Sequence, residues 1–582
     1  MRWVAHLASL ILAVLLASYG GAQDSGSPSG LAHDPVHKSE TKPFNPHAAH
    51  AATPSNQPWF DLTGLPSPNR AADLGAHRYE ITAANEEARA FFNQGLIYAY
   101  GFNHLEALRA FRQAQTLDPD CAMCFWGEAY VLGSNLNLPM EAAAAPIARA
   151  AAEKAVARAG RTSAREQALA AAMVVRYAEP GERADLDRKY AEAMQGVAKS
   201  FPDDPDIAAI AAESLMLLSP WDYWLDSGRT PKEHTTQALR LLEGALARHP
   251  DHIAAIHFYI HLVEASNRPE RAEPYADRLR GAVPGAGHLL HMPAHIYLRL
   301  GRYKDVLDVN KDAADSDERY LAANPAVQGP YPAMYYPHNV HFQMTAALMA
   351  GQGEAALGSA EKLAHLIPDD AAQAIPSAQP IKQAPYFIHA QFSDPQAILA
   401  LFAPSEKLPF VVAAWRYARG IAFSLMEKPA EADQEADAIR NTLSADLSML
   451  EEANVPARDI LEIAEKVVRA KAAVARGDMS AGRQLAEAAV NLQNKLPYME
   501  PPYWYVPVNQ TLGAILLKSG SPREAAAAFR EACAKAPNSA WALYGLMRAE
   551  TAAGDGQAAA TARERFEKAR AGGAQEPSLD RM

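Results

Sequence analysis

Seven histidines and one glutamate recur at helical spacing in one part of the sequence. They are His257, His261, Glu264, His288, His291, His295, His338 and His341. Seven of the 19 histidines in a chain of 582 residues thus fall between residues 257 and 341. Within three segments, successive members lie three or four residues apart, which places them on one face of a helix. The spacing predicts three helices that each present imidazoles on one side.

This residue set is typical of a transition-metal site. Clustered neutral imidazoles with a carboxylate are ligands that borderline divalent ions bind, and copper, zinc and iron all suit them. Seven imidazoles exceed one tetrahedral shell, so two ions, or one ion with a second shell of histidines, both fit the pattern. The alternatives are a polar groove for a peptide or other ligand and a hydrogen-bonded structural network. Glu264 is a candidate ligand or general base, with a solvated surface glutamate as its alternative.

The segment HFYIH at 257–261 has the histidine spacing of a metalloprotease helix. Phe258 occupies the position of the catalytic glutamate in that motif, so a zinc-protease mechanism is disfavoured. The pattern therefore leaves open whether the site is catalytic.

A repeat of 34 residues supplies the helices that must position the histidines. With residue 88 as position 1, bulky residues fall at positions 4, 11 and 24, small residues at 8, 20 and 27, and proline at 32. The residues are Phe91, Gly95, Tyr98, Ala107, Phe111, Ala114 and Pro119. This pattern resembles the tetratricopeptide repeat, a helix–turn–helix unit. Further units are predicted at 253–286, 287–320, 337–370 and 506–539, with a degenerate one at 540–573.

The resemblance implies an all-α fold, an α-solenoid of tetratricopeptide-like helix–turn–helix repeats. It would form a right-handed superhelix with a concave groove lined by the first helix of each unit. In this register the seven histidines fall at positions 2, 5 and 9, and Glu264 falls at position 12. In proteins with this repeat those positions face the groove. Packed helices lie about 8–10 Å apart, so imidazoles of adjacent first helices are expected to meet.

Seven further residues are candidates for the groove or a substrate pocket, with packing as the alternative role. They are Trp126, Tyr130, Asn135, Asn137, Glu213, Trp221 and Trp224. Several segments also resemble a group of exported bacterial tetratricopeptide-repeat proteins, among them SPWDYW at 219–224, GHLLHMPAHIY at 287–297 and YYPHNVHF at 335–342. That resemblance implies the same histidine-lined groove and no particular reaction.

Residues 1–22 read as a secretory signal. Arg2 precedes an apolar run that is too short to span a bilayer, and small residues follow it at Gly20, Gly21 and Ala22. We therefore expect export, to the periplasm or outside the cell, and no integral membrane segment in the mature chain. The 67 acidic and 55 basic residues give a net charge of −12, which argues against a nucleic-acid partner.

The remaining chain divides by pattern. We predict a flexible linker at 23–75, N-terminal repeats at 76–250, central repeats with the histidines at 251–370, an irregular connection at 371–412, C-terminal repeats at 413–573 and a tail at 574–582. Cys121 and Cys124 form a CxxC at a helix start, either a local disulfide or a reduced buried pair. Phe125 follows where c-type haem attachment needs histidine. A peptide or protein partner in the concave groove is the alternative function.

Overall fold

The computed structural model describes residues 58–178, 181–570 and 576–582. The predicted signal segment and the predicted linker up to residue 57 lie outside these ranges. The described chain is a solenoid of α-helices, which confirms the predicted fold class. Its only strands among the described residues are β1 (Trp224–Leu225) and β2 (Thr230–Pro231), which pair antiparallel.

The N-terminal helices form successive antiparallel pairs. They are α1 (Glu86–Tyr100), α2 (His104–Leu117), α3 (Ala122–Val131), α4 (Ala145–Arg158), α5 (Ala164–Arg176), α6 (Arg183–Ser200), α7 (Pro205–Met216) and α8 (Glu233–Arg248). Polar residues start several of them, since Asn85 and Asn103 each accept a backbone N–H of the first turn. Ser163 and Glu166 form a reciprocal capping box at the start of α5.

The central helices carry the histidines. They are α9 (Ile253–Val263), α10 (Glu273–Leu279), α11 (Gly287–His291), α12 (Pro293–Leu300), α13 (Tyr303–Ala323), α14 (Tyr336–Met349) and α15 (Gly353–Leu366). Pro293 divides α11 from α12, because a proline provides no N–H for the preceding turn. One predicted first helix is therefore two short helices.

The C-terminal part continues the same architecture. Its helices are α16 (Asp369–Ala374), α17 (Gln379–Phe392), α18 (Pro395–Leu399), α19 (Pro409–Leu425), α20 (Pro429–Thr442), α21 (Ser448–Glu452), α22 (Ala457–Ala475), α23 (Met479–Gln493), α24 (Val508–Lys518), α25 (Pro522–Lys535), α26 (Ala540–Ala553) and α27 (Gly556–Ala569). Short 3-10 turns lie at Ala142–Ala144, Ala159–Arg161, Pro269–Ala272, Pro376–Ala378 and Leu579–Arg581, and a π-helical turn lies at Tyr331–Tyr335.

The prediction of an irregular connection at 371–412 is wrong, because α16, α17 and α18 occupy much of it. The prolines that obscured the helical pattern mostly stand in first turns, where no N–H is needed. Pro385 alone lies inside α17.

An aromatic ring packs between two glycines at equivalent positions of two repeats, as the 34-residue register predicts. Phe111, at position 24, fills the space beside Gly95 and Gly127, and a Cβ atom on either glycine would overlap its ring. Phe529 packs in the same way against Gly513 and Gly545, more than 400 residues later. Helices consecutive in the chain are the main packing partners, so buried apolar side chains form extended cores along the stack.

The end of the predicted linker packs against the repeats, contrary to the prediction of a flexible segment up to residue 75. Phe60 and Leu74 are buried. The carbonyl of Asp73 accepts the N–H of Gly285 at 2.7 Å. Phe60 and Leu74 stand among irregularly spaced polar residues and show no helical or strand period. The sequence pattern therefore could not predict that they pack against the repeats. None of the described helices is long and apolar enough to cross a membrane.

Candidate metal centre

Six of the seven predicted histidines form two adjoining groups of three. We call His257, His261 and His288 triad 1, and His291, His295 and His338 triad 2. In each triad, one ring nitrogen of every histidine lies within 4.8 Å of the corresponding nitrogens of the other two. Five of the six side chains are buried, and His338 is partly exposed.

The triads are built by first helices of successive repeats. Helix α9 supplies His257 and His261 one turn apart, α11 and α12 supply the next three histidines, and α14 supplies His338. Ring centroids of adjacent helices are 5.0 Å apart for His257 and His288. They are 4.9 Å apart for His291 and His338. The stripe derived from the repeat therefore does bring imidazoles of neighbouring helices into contact.

Hydrogen bonds on the Nδ1 side orient the rings. His257 Nδ1–H donates to the carbonyl oxygen of Tyr100 at 2.6 Å. His291 Nδ1–H donates to Asn310 Oδ1 at 2.7 Å, and Asn310 is itself held because its Nδ2 donates to the carbonyl of Val306 at 2.8 Å. Such contacts set the tautomer and leave Nε2 with a free lone pair, as in metal-bound histidines.

Several ring nitrogens that face the cluster lack a partner. His257 Nε2, His261 Nε2 and both nitrogens of His288 are buried without a hydrogen bond to any residue that the structure describes. An unsatisfied buried polar atom costs about 1–3 kcal/mol. Four such atoms at one place indicate that the site is built to bind something.

Glu264 hydrogen-bonds to one histidine of each triad, on the Nδ1 side of the rings. Its Oε1 accepts His261 Nδ1–H at 2.8 Å, and its Oε2 accepts His295 Nδ1–H at 2.7 Å. The side chain is fully buried, so the alternative of a solvated surface glutamate is wrong. His261, Glu264 and His295 also lie close enough to hold an ion, but these hydrogen bonds occupy the atoms concerned. In the structure Glu264 therefore orients two imidazoles of the triads. Its role as a ligand or base stays a prediction.

A loop from the C-terminal repeats completes the surroundings. Residues 494–507, between α23 and α24, bring Glu500 Oε2 to 3.3 Å from His295 Nδ1. Tyr498 donates its hydroxyl to Glu264 Oε2 at 3.1 Å. Arg299 donates to the backbone carbonyl of Glu264 and lies 3.9 Å from a carboxylate oxygen of Glu500. The sequence pattern did not indicate Glu500 and Tyr498, because they lie in a loop without repeat spacing, at least 160 residues along the chain from the six histidines.

Burial keeps most of the imidazoles neutral. It is the main cause that lowers the pKa of five of the six, and neighbouring imidazoles add to the effect. The five are His257, His261, His288, His291 and His338. Neutral imidazole is the form that binds a metal ion.

His295 is the exception. Burial alone would lower its pKa, but the carboxylates of Glu264 and Glu500 outweigh burial and raise the pKa to about 10. Burial would raise the pKa of Glu264, yet His295 and His261 hold it well below its usual value. Without metal, His295 is therefore protonated at neutral pH. Its Nε2–H donates a hydrogen bond to His291 Nε2 at 2.9 Å. A metal ion bound in triad 2 must therefore displace one proton.

Two phenylalanines pack against the triads. The Phe102 centroid lies 4.5 Å from that of His257 and 5.3 Å from that of His288. Phe342 lies 4.7 Å from His291 and 4.8 Å from His295. The rings exclude water from much of the cluster and limit the room beside it.

His341 does not belong to either triad, contrary to its prediction as a ligand. Its Nε2 lies 2.7 Å from the hydroxyl oxygen of Tyr505, and that hydroxyl donates to the carbonyl of Pro380 at 3.3 Å. On α14, His338 and Phe342 are four residues apart and both face triad 2, whereas His341 is turned around the helix toward the 494–507 loop. Repeat positions 2, 5 and 9 cover a broad part of the helix surface, so one of these side chains can face triad 2 while another faces the 494–507 loop.

The two predicted tryptophans, Trp221 and Trp224, have different roles. The Trp221 ring lies 5.0 Å from the His261 ring and is 44% exposed, so it lies at the edge of the cluster. Trp224 instead donates Nε1–H to the carbonyl of Leu262 at 2.7 Å, which is a structural contact between β1 and the end of α9.

The predicted asparagines shape a turn beside triad 1. Asn135 Oδ1 accepts the N–H groups of Asn137 and Leu138, both at 2.9 Å. Asn137 Nδ2 donates to the Tyr335 hydroxyl at 3.3 Å, and the Tyr335 ring lies 4.8 Å from His288. The two asparagines therefore reach the site only through Tyr335.

The three other groove candidates meet in a second buried cluster. Trp126 stacks on Tyr130 with centroids 5.2 Å apart, and the Tyr130 hydroxyl donates to Glu213 Oε2. Burial raises the pKa of Glu213 to about 7, although Tyr130 and Arg176 act in the opposite direction. Glu213 thus holds its proton nearly to neutral pH.

A further group of possible donors, His77, Asp206 and His252, is better explained as a structural network. His252 Nδ1 accepts the N–H of Ala255 at 3.2 Å, so its proton resides on Nε2, 3.1 Å from Asp206 Oδ2. A metal on Nε2 would move that proton to Nδ1, against the backbone N–H. Tyr100 also donates to Asp206, at 2.7 Å.

Cys121 and Cys124 form a disulfide at the start of α3, which decides between the two alternatives for the CxxC. Cys533 is free.

Comparison with known proteins agrees with the repeat. Residues 88–121 match the tetratricopeptide repeat family, beginning at the residue taken as position 1. Similar solved structures include the human IFIT1 dimer with m7Gppp-AAAA, with 11% identity, a TM-score of 0.30 and coverage of 85% of this chain and 92% of that one. Yeast Tom70 shows 14% identity, a TM-score of 0.27 and coverage of 85% and 93%. No curated protein matches at a significant level. Residues 88–121 are thus a tetratricopeptide repeat, and the register and helical architecture of the described chain agree with further units of this kind.

Proposed function

We propose that this protein is an exported metalloprotein that binds two divalent transition-metal ions, one in each histidine triad. The observation that carries the proposal is the arrangement of six imidazoles in two groups, with ring nitrogens within 4.8 Å of one another in each group. In four of them, His257, His261, His291 and His295, a hydrogen bond occupies Nδ1 and leaves Nε2 as the candidate ligand atom. The predicted secretory signal supports export. The Cys121–Cys124 disulfide also supports it, since disulfides persist mainly in oxidising compartments.

The donor set fits copper, zinc or iron. Triad 1 offers three neutral imidazoles, and triad 2 offers three once His295 has lost its proton. Nitrogen donors of this kind suit all three metals. A bound ion would satisfy the buried nitrogens that lack partners, which otherwise cost folding free energy. Hydrogen bonds from ligand histidines to a carboxylate, a carbonyl and an amide are the outer contacts that metal sites commonly have.

The tetratricopeptide fold also suggests a protein or peptide partner. At Glu264 and His295, however, the 494–507 loop occupies the adjacent space, because Tyr498 contacts Glu264 and Glu500 approaches His295. A partner would therefore bind outside this part of the solenoid. The geometry favours metal binding as the function of the histidine cluster itself.

Elemental analysis of protein purified without a histidine tag tests the proposal. We expect about two ions per chain in the wild type. The double variant His257→Ala/His261→Ala and the double variant His291→Ala/His295→Ala should each lose one ion, since each dismantles one triad. His341→Ala is the matched control and should keep both. Wild-type protein that is metal-free and cannot be reconstituted with copper, zinc or iron would overturn the proposal.

A further inference from the structure

The two triads lie side by side. Ring centroids within a triad are 4.7–6.1 Å apart. Between triads, the His261 and His295 rings are 5.3 Å apart and the His288 and His291 rings are 5.7 Å apart. The separation between triads therefore equals the separation within them, and two bound ions would be direct neighbours.

Each ion would retain an open coordination position. A metal with three protein ligands keeps its fourth position for water or another ligand. The nearest carboxylates among the described residues, Glu264 and Glu500, approach the histidines from the Nδ1 side. Because these carboxylates contact Nδ1 atoms, neither of them fills the open position of an ion that the Nε2 atoms would hold.

Charge favours an anion at those positions. Six neutral imidazoles contribute no charge, whereas two divalent ions bring four positive charges into a buried site. The carboxylates of Glu264 and Glu500 offset only part of this excess, and Arg299 beside Glu500 adds a positive charge. A concentrated positive charge in a water-poor environment attracts an anionic ligand.

The surrounding rings restrict the size of that ligand. Phe102 lies 4.5–6.0 Å from the three rings of triad 1. Phe342 lies 4.7–4.8 Å from the three rings of triad 2. His338, the only partly exposed member, marks the side from which solvent reaches the cluster. The remaining space suits a ligand of a few atoms.

We infer that the triads form one coupled two-metal centre, in which a single small anion bridges the two ions. This inference rests on the proposed function and adds the class of ligand that the site binds. Two neighbouring ions with open positions facing each other commonly hold one bridging ligand between them.

Azide titration of copper-loaded protein tests the inference. Metal-free protein is loaded with Cu(II), and bound azide is followed by absorption while the copper spins are counted by electron paramagnetic resonance. We expect one azide for two coppers, together with a signal far below two spins per chain, because a bridging anion couples the spins.

Single-triad variants provide the comparison. His288→Ala and His338→Ala should each bind one copper with a full signal, and their azide affinity should fall at least about tenfold because no bridge can form. His341→Ala should behave as the wild type. Two azides bound independently with two full spins, or no azide binding, would overturn the inference while leaving the proposed function intact. Failure to bind copper, zinc or iron would overturn both. The wild-type titration decides the matter even if a variant fails to fold.

Discussion

Replacing Glu264 with glutamine tests whether its carboxylate orients the imidazoles of both His261 and His295. The carboxylate accepts Nδ1–H from His261 at 2.8 Å and from His295 at 2.7 Å. Glutamine has the same shape but only one acceptor oxygen, and its amide nitrogen donates. In Glu264→Gln, one imidazole keeps its partner and the other faces a second donor, so that ring must turn or change tautomer.

The size of the effect follows from outer-shell chemistry. Loss of a partner behind a ligand histidine typically weakens metal binding about 10–100-fold, which is about 1.4–2.7 kcal/mol. The lost negative charge acts in the same direction at both triads. In triad 1 a divalent ion adds two positive charges, and in triad 2 it replaces a single proton on His295. Both dissociation constants should therefore rise, one of them at least about tenfold.

Competition with a chromophoric chelator measures both constants, with circular dichroism as the check on folding. Glu500→Gln is the matched control, because His295, at 3.3 Å, is the one triad histidine for which the structure shows a contact with Glu500. It should weaken triad 2 and leave triad 1 unchanged. A folded Glu264→Gln protein whose two constants stay within about threefold of the wild type would refute the reasoning.

Three other expectations concern pH and packing. Metal affinity of triad 2 should increase about tenfold per pH unit between pH 6 and 9, because His295, whose pKa is about 10, must lose a proton; a pH-independent constant would contradict this. Glu213→Gln should stabilise the protein by about 3 kcal/mol at pH 8 and by little at pH 5. The unfolded side chain ionises from about pH 4.5, whereas the folded one keeps its proton to about 7, so wild-type stability falls as pH rises between these values. Denaturant unfolding at both pH values checks this, with exposed Glu270→Gln as the unaffected control. Gly127→Ala should cost about 1–3 kcal/mol by overlap with a core ring. Gly160→Ala, where the added atom meets open space, should leave the melting temperature unchanged or slightly higher.

The repeat and most of the histidines in the two triads were predictable because both depend on local spacing. Small and bulky residues 34 positions apart define the helix pairs, and steps of three and four residues define the face of each first helix. Six of the seven histidines on that face do meet. His341 does not, because neighbouring positions of one stripe point toward different partners once α14 is packed.

Contacts between distant parts of the chain were not predictable. Glu500 and Tyr498 belong to a loop whose composition shows no period, and their contacts depend on where the C-terminal repeats lie. Glu264 was located correctly on the stripe, but its hydrogen bonds to His261 and His295 were not predictable, since a sequence pattern does not show which atom of a histidine carries the proton. Asn310 in α13 was missed because it lies in a second helix, outside the stripe that was searched.

The loop at 494–507 also affects how the molecule unfolds. Repeat proteins usually hold together through neighbouring units alone, so their ends can fray one unit at a time. Here the loop joins Tyr498 to Glu264, and Trp541 Nε1 donates to the carbonyl of Leu348 at 2.9 Å. These two hydrogen bonds join repeats that are far apart in the chain, so they oppose unfolding of one terminal repeat at a time. Loss of the C-terminal units would release contacts near residue 264, so the central and C-terminal repeats are expected to melt as one cooperative block.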